Sequence, residues 1–99
     1  MMSKLESKFQ KELIDEIKTR LPGSIVMKND PTYIQGVPDL TVLYEDRWAT
    51  LECKRSKTAN HQPNQDHYVS KMNAMSFSAF VYPENKEEVL DALQHSLQS

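Results

Sequence analysis

The feature that most constrains the fold of this chain is a pair of strand-like runs separated by two polar residues. Residues 40–44 and 48–53 are rich in β-branched, aromatic and aliphatic side chains, and a Gly/Pro break precedes the first run. Glu45 and Asp46, which lie between the two runs, tolerate a tight turn. The sequence therefore predicts an antiparallel β-hairpin that reverses at these two residues.

The register of this hairpin follows if Tyr44 pairs with Arg47 across the turn. In the same register Asp39 lies opposite Glu52, with β-carbons about 4.5–5.5 Å apart, and Lys54 shares that face of the sheet. Two carboxylates at this distance repel each other unless a positive charge lies between them. Because carboxylate oxygens suit Mg²⁺ or Mn²⁺, a divalent cation is the expected occupant.

Hydrophobic periodicity predicts further elements on both sides of the hairpin. Helices are expected at residues 3–21, 63–75 and 84–97, and strands at residues 24–28 and 77–82. The expected inward-facing residues are Leu5, Phe9, Leu13, Ile17 and Leu21 on the first helix, Tyr68, Val69, Met72 and Met75 on the second, and Val89, Leu90, Leu93 and Leu97 on the last. The order αβββαβα predicts an α/β (α+β) fold with a mixed central sheet flanked by helices, in one domain over residues 1–99.

Two polar residues lie on helix faces that should be apolar. Glu6 is near the middle of the apolar arc of the first helix, where burying an unpaired carboxylate is costly. Gln65 points to the same side as Val69 and Met72. Glu6 could instead belong to a frayed first turn in water, and Gln65 could satisfy free backbone groups at a helix start. We favour a place for both beside the paired carboxylates, with Gln10 supporting Glu6 one turn further on.

The charge of the chain is unevenly distributed. The formal net charge is −2, which by itself does not indicate nucleic-acid binding, yet residues 53–72 contain four basic residues against Asp66 alone. The basic residues of this segment are Lys54, Arg55, Lys57 and Lys71, and His61 and His67 lie among them. A solvated surface is the ordinary explanation for such a cluster. Its position next to the carboxylates favours a phosphate-facing patch.

Composition also indicates where the protein works. A single cysteine cannot form an internal disulfide, which fits a reducing compartment. No apolar stretch approaches the roughly 20 residues of a membrane helix, and no secretory signal is apparent. We therefore expect a cytoplasmic protein without a membrane partner.

The carboxylate and lysine pattern resembles a known family. Pro38-Asp39 followed by Glu52-x-Lys54 resembles the active site of the PD-(D/E)XK nuclease superfamily. The segments that narrow the resemblance to a small stand-alone VRR-NUC-type domain are Glu6-x-x-Phe9-Gln10, Gly36-x-Pro38-Asp39-Leu40 and Gln65. Such domains occur in phages and bacteria, and some relatives cut Holliday junctions and other branched DNA. Cys53 departs from the pattern, since relatives usually carry an aliphatic residue there.

The resemblance implies a restriction-endonuclease-like core and a role for each site residue. Asp39 and Glu52 would hold Mg²⁺ or Mn²⁺, together with the backbone carbonyl of Cys53. Lys54 would lie near the attacking water and stabilise negative charge on phosphorus. Glu6 would be a further acidic site residue, either a ligand of a second metal ion or a group that orients water, and Gln65 would hold Lys54 or substrate by hydrogen bonds. The residues expected to contact DNA are Arg55, Lys57, His61 and Lys71.

The expected activity is metal-dependent hydrolysis of DNA phosphodiester bonds, by structure-selective cutting or nicking. A sequence-directed, homing-type endonuclease and an inactive nucleic-acid-binding module on the same fold are alternatives. A further alternative is a protein unrelated to nucleic acids, in which Asp39, Glu52 and Lys54 form a structural ion triad. Because cutting two strands generally takes two active sites, we also expect a homodimer that associates through the last helix or the edge of the strand at residues 77–82.

Overall fold

The computed structural model describes residues 3–99. The elements are helix α1 (Lys4–Arg20), strands β1 (Ile25–Lys28), β2 (Leu40–Tyr44) and β3 (Arg47–Cys53), helix α2 (Pro63–Met75), strand β4 (Phe77–Val81), a 3₁₀ turn (Pro83–Asn85) and helix α3 (Lys86–Gln98). This order confirms the predicted αβββαβα succession. The last helix begins two residues later than expected, because Pro83 opens a separate 3₁₀ turn. No helix in this described range is long and apolar enough to cross a membrane.

The four strands form one mixed sheet in the order β1-β2-β3-β4. The β1–β2 and β2–β3 pairs are antiparallel, whereas β3 and β4 run parallel. Tyr44 pairs with Arg47 and Leu40 with Leu51, which confirms the predicted hairpin register. The turn between them uses a positive φ of 54° at Glu45. The predicted α+β class, a mixed sheet flanked by helices, is confirmed.

Helices cover both faces of the sheet. One face packs α1 and α3 against alternate strand residues, so that Leu13, Ile17, Leu51 and Leu90 are completely buried. The opposite face of β3 meets α2, where the Thr50 hydroxyl hydrogen-bonds to Ser78 and lies near the Met72 sulfur. A single apolar core therefore lies on the α1–α3 side, and a more polar layer lies under α2.

The prediction of a buried position is wrong for two residues. Leu5 is 70% exposed and Met75 is 67% exposed. Both lie in the terminal turn of their helix, and burial on α1 starts one turn later, at Phe9. The hydrophobic period continues past the part of each helix that the sheet covers, so periodicity alone could not mark where burial stops. The other residues expected to face inward on α1 and α3 are buried.

Candidate active site

The hairpin brings Asp39 and Glu52 together at the end of the sheet. The backbone N–H of Asp39 donates to Oε1 of Glu52 over 3.1 Å, and the N–H of Cys53 donates to Oδ2 of Asp39 over 2.8 Å. Each carboxylate is therefore fixed by the backbone of the opposite strand. This reciprocal arrangement follows directly from the register, which places the two residues across from each other.

Gln65 connects this carboxylate pair to the lysine. Its Nε2 donates to Oε2 of Glu52 over 2.7 Å, and its Oε1 accepts from Nζ of Lys54 over 2.6 Å. The ammonium group also donates to the backbone carbonyl of Asn60 over 3.0 Å and lies 3.9 Å from Glu52 Oε2. Lys54 and Glu52 are only 7% and 3% exposed. Burial without partners would be costly for both, and Gln65 satisfies both at once.

Gln65 also satisfies a backbone group at the start of a helix, the alternative role considered for it above. Its Oε1 accepts from the backbone N–H of Gln62 over 3.0 Å, at the start of α2. One side chain therefore satisfies the N–H at the helix start and hydrogen-bonds the buried Glu52 and Lys54 side chains. The two interpretations of this residue are compatible, because the first turn of α2 stands directly over the carboxylates.

Glu6 reaches the same place from α1. It is half-buried and lines a cleft of about 240 Å³. The residues that line this carboxylate cleft are Glu6, Pro31, Asp39, Glu52, Cys53, Lys54 and Gln65. Within residues 3–99, no group of three or more His, Cys, Asp or Glu side chains is placed to hold a metal ion. Glu6 therefore lines the cleft without joining Asp39 and Glu52 in a ready-made ligand set. Gln10, one turn on, is buried.

Burial and crowding control the protonation of the pair. Desolvation, followed by the negative charge of Asp39, raises the pKa of Glu52 to about 8. Burial also raises the pKa of Asp39, against the hydrogen bond from the Cys53 N–H, which lowers it. The Cys53 thiol points into the core on the other face, where burial raises its pKa. Both pKa shifts favour the protonated form of the pair, and a metal cation could take the place of the proton.

The donor set fits a hard divalent cation. One oxygen of each carboxylate is anchored by a backbone N–H, and Oδ1 of Asp39 accepts no hydrogen bond from any residue in the described range. Two crowded, partly desolvated carboxylates gain from a positive charge placed between them, and oxygen ligands suit Mg²⁺ or Mn²⁺. The chemistry of these residues is thus compatible with the expected ion, whereas the part assigned to the Cys53 carbonyl stays a prediction.

The residues expected to contact DNA divide into two groups. Arg55, Lys57 and Lys71 are exposed, the first two in the segment after β3 and the third on α2. His61 instead stacks on Phe80 with ring centroids 4.0 Å apart, and its Nδ1 lies 2.9 Å from a carboxylate oxygen of Asp66. The structure thus anchors His61 to the protein, while its DNA contact remains a prediction.

The sequence did not predict two residues that contribute to the site. The backbone carbonyl of Asn60 holds the ammonium of Lys54, and Pro31 lines the cleft from the loop before the hairpin. A main-chain carbonyl carries no signature of residue type, and a loop proline is ordinarily explained by the turn itself. Only the fold shows that these two segments meet the carboxylates.

The fold and the cleft define a small α+β domain with two carboxylates and a lysine at one end of its sheet. No family model matches the sequence, and no curated protein matches it. Two solved structures share the fold. A "VRR_NUC domain" superposes with a TM-score of 0.71 at 20% identity, covering 94% of this chain and 98% of that one. A "VRR_NUC domain protein" gives 0.68 at 12% identity, covering 99% and 92%. The chain therefore has the VRR-NUC fold, as the resemblance in its sequence implies.

Proposed function

We propose that this protein is a metal-dependent DNA endonuclease that hydrolyses phosphodiester bonds. The observation that carries the proposal is the pair of half-buried Asp39 and buried Glu52, joined through Gln65 to the buried ammonium of Lys54. A lysine and two carboxylates held in one cleft are the groups that a metal-assisted hydrolysis needs. The shared fold of the VRR-NUC structures supports the same class of reaction.

Each residue has a part in the proposed reaction. Asp39 and Glu52 would hold Mg²⁺ or Mn²⁺, which supplies Lewis-acid polarisation of the phosphate and an acidified water molecule. Lys54 is fixed by Gln65 and Asn60, so its charge is pre-organised to position the attacking water and to stabilise negative charge on the phosphate. Glu6 lines the same cleft and would orient water there.

The proposed substrate is DNA of irregular structure, such as branched or nicked DNA. A domain of 99 residues offers little surface for reading a long sequence. Side-by-side cleavage of linear, nicked, flapped and four-way DNA tests this choice. Equal cutting of all four, with a preferred sequence, would support the sequence-directed alternative instead.

DNA contact and assembly complete the proposal. Arg55, Lys57 and Lys71 would hold the phosphodiester backbone without reading sequence. Cutting two strands would use two copies of the chain, associated through α3 or the edge strand β4. Light scattering at working concentration measures the assembly, and a monomeric mass would count against the dimer.

The test of activity is cleavage of plasmid and branched DNA in Mg²⁺ or Mn²⁺. Asp39→Asn and Lys54→Met preserve side-chain size while removing the charge, and both should reduce cutting by at least about 100-fold. The control is Asp46→Asn, which neutralises an exposed carboxylate in the turn at the opposite end of the hairpin from Asp39 and Glu52. Residual cutting that is equal in the wild type and both site variants would end the proposal.

A further inference from the structure

A second cleft opens next to the carboxylate cleft, between the loop at residues 29–37 and the start of α2. It has a volume of about 320 Å³. The side chains that line it are Gln35, Gln62, Asn64, Gln65, Pro31 and Pro63. None of these side chains is charged, in contrast to the carboxylates and lysine of the neighbouring cleft.

The wall of this amide cleft is held by direct backbone packing. Gly36 has a φ of +89°, and a Cβ built on it would lie only 2.3 Å from the Cβ of Asn64. The loop therefore rests on the first turn of α2 at a distance that only glycine allows. At the base of the loop, Nδ2 of Asn29 donates to the Pro38 carbonyl and Oδ1 accepts from the hydroxyl of Thr41. These contacts fix both sides of the cleft.

The free groups of the amide cleft match a nucleobase. Within residues 3–99, the side-chain amides of Gln35 and Asn64 are exposed and form no hydrogen bond. Each amide offers a donor and an acceptor, which is the pattern that pairs with the edge of a base. Pro31 and Pro63 add apolar surface for the flat face of a ring. A phosphate would find no positive side chain here.

The two clefts share Pro31 and Gln65 as common walls. The amide of Gln65 donates to Glu52, so a base in the amide cleft would lie beside the carboxylate pair. We propose that the amide cleft binds an unpaired nucleobase next to the phosphodiester that is cut. A base stacked within a duplex cannot enter such a cleft, so occupancy selects DNA with an extrahelical or single-stranded base. This inference rests on the proposed function, and the substrate feature that the cleft would recognise is an unpaired base.

The experiment uses branched DNA with one unpaired 2-aminopurine, a fluorescent base, at the branch point. Binding of this DNA to the protein is measured in the presence of a metal chelator. Matched DNA with an abasic residue at that position is the comparison. Wild-type protein should change the fluorescence of the base and bind the abasic DNA about tenfold more weakly. The double variant Gln35→Ala/Asn64→Ala should lose both effects, because it removes two free amides. Gln98→Ala, at the far end of α3, is the control and should behave as wild type.

The outcomes separate the cleft from the catalytic proposal. Equal binding of the two DNAs by the wild type, or an unchanged preference in the double variant, overturns the nucleobase site. A parallel cleavage assay in Mg²⁺ tests the other claim. If the protein cuts DNA without a base preference, only the nucleobase site is excluded. If it prefers an unpaired base but does not cut, only the nuclease activity is excluded. Absence of any DNA binding removes both.

Discussion

Gln65 hydrogen-bonds two buried ionisable side chains, those of Glu52 and Lys54. Replacing it by alanine removes the hydrogen bonds to Glu52 and Lys54 and leaves both buried groups without that partner. We expect Gln65→Ala to lower the free energy of unfolding by about 1–3 kcal/mol. We also expect it to reduce DNA cleavage about 10–100-fold, since outer partners of a catalytic site usually have effects of this size. Denaturant unfolding and cleavage rates check both values, and Gln98→Ala is the control.

The protonation of Glu52 gives a second prediction. Its pKa is about 8 in the folded protein and 4.5 ordinarily, so the folded state keeps a proton that the unfolded chain releases between these values. The free energy of unfolding should therefore fall as pH rises from about 4.5 to 8 and level off above that range. Asp39, whose pKa is also raised, acts in the same direction. The expected loss is on the order of a few kcal/mol.

Denaturant titrations from pH 5 to 9 in a metal chelator measure this slope. Glu52→Gln stays neutral over the whole range, so its stability should vary much less with pH than that of the wild type. Stability that rises with pH in the wild type, or an equal slope in the variant, would contradict the assigned pKa.

At the level of elements, the contact between the loop and α2 depends on Gly36. Gly36 and Gly23 share a φ of +89°, but only Gly36 has neighbours where a Cβ would stand. Alanine at either position carries the same backbone strain, so the difference between the two variants isolates the contact with Asn64. We expect Gly36→Ala to cost roughly 1–3 kcal/mol more than Gly23→Ala in urea unfolding. Equal costs would show that the loop does not pack on α2.

The elements also show what the sequence could predict. The hairpin register was predictable because side chains alternate along a strand, so that one turn position determines every partner, including Asp39 opposite Glu52. The exposure of Leu5 and Met75 was not, because a helical period does not report where the underlying sheet ends. The contact of the Asn60 carbonyl with Lys54, and the packing of Gly36 on α2, depend on how segments distant in sequence come together. A local sequence pattern does not encode such contacts.

For the whole molecule, electrostatics limits how DNA can bind. The net charge is −2, so attraction to phosphate depends on the few basic side chains near the cleft. Each phosphate contact should contribute about one unit to the slope of log affinity against log salt. The double variant Arg55→Gln/Lys71→Gln should therefore reduce that slope by roughly two, as measured by fluorescence anisotropy. Lys18→Gln, on the exposed side of α1, is the control, and an unchanged slope in the double variant would exclude the assigned patch.

The proposed activity depends on one divalent cation that Asp39 and Glu52 share. Calorimetric titration with Mn²⁺ measures this most directly, using the wild type, Asp39→Asn, Glu52→Gln and the exposed control Asp46→Asn. The wild type and the control should bind the ion at a common site, and each carboxamide variant should lose at least about tenfold in affinity. Absence of Mn²⁺ binding in the wild type, or equal binding in all four proteins, would contradict the shared site.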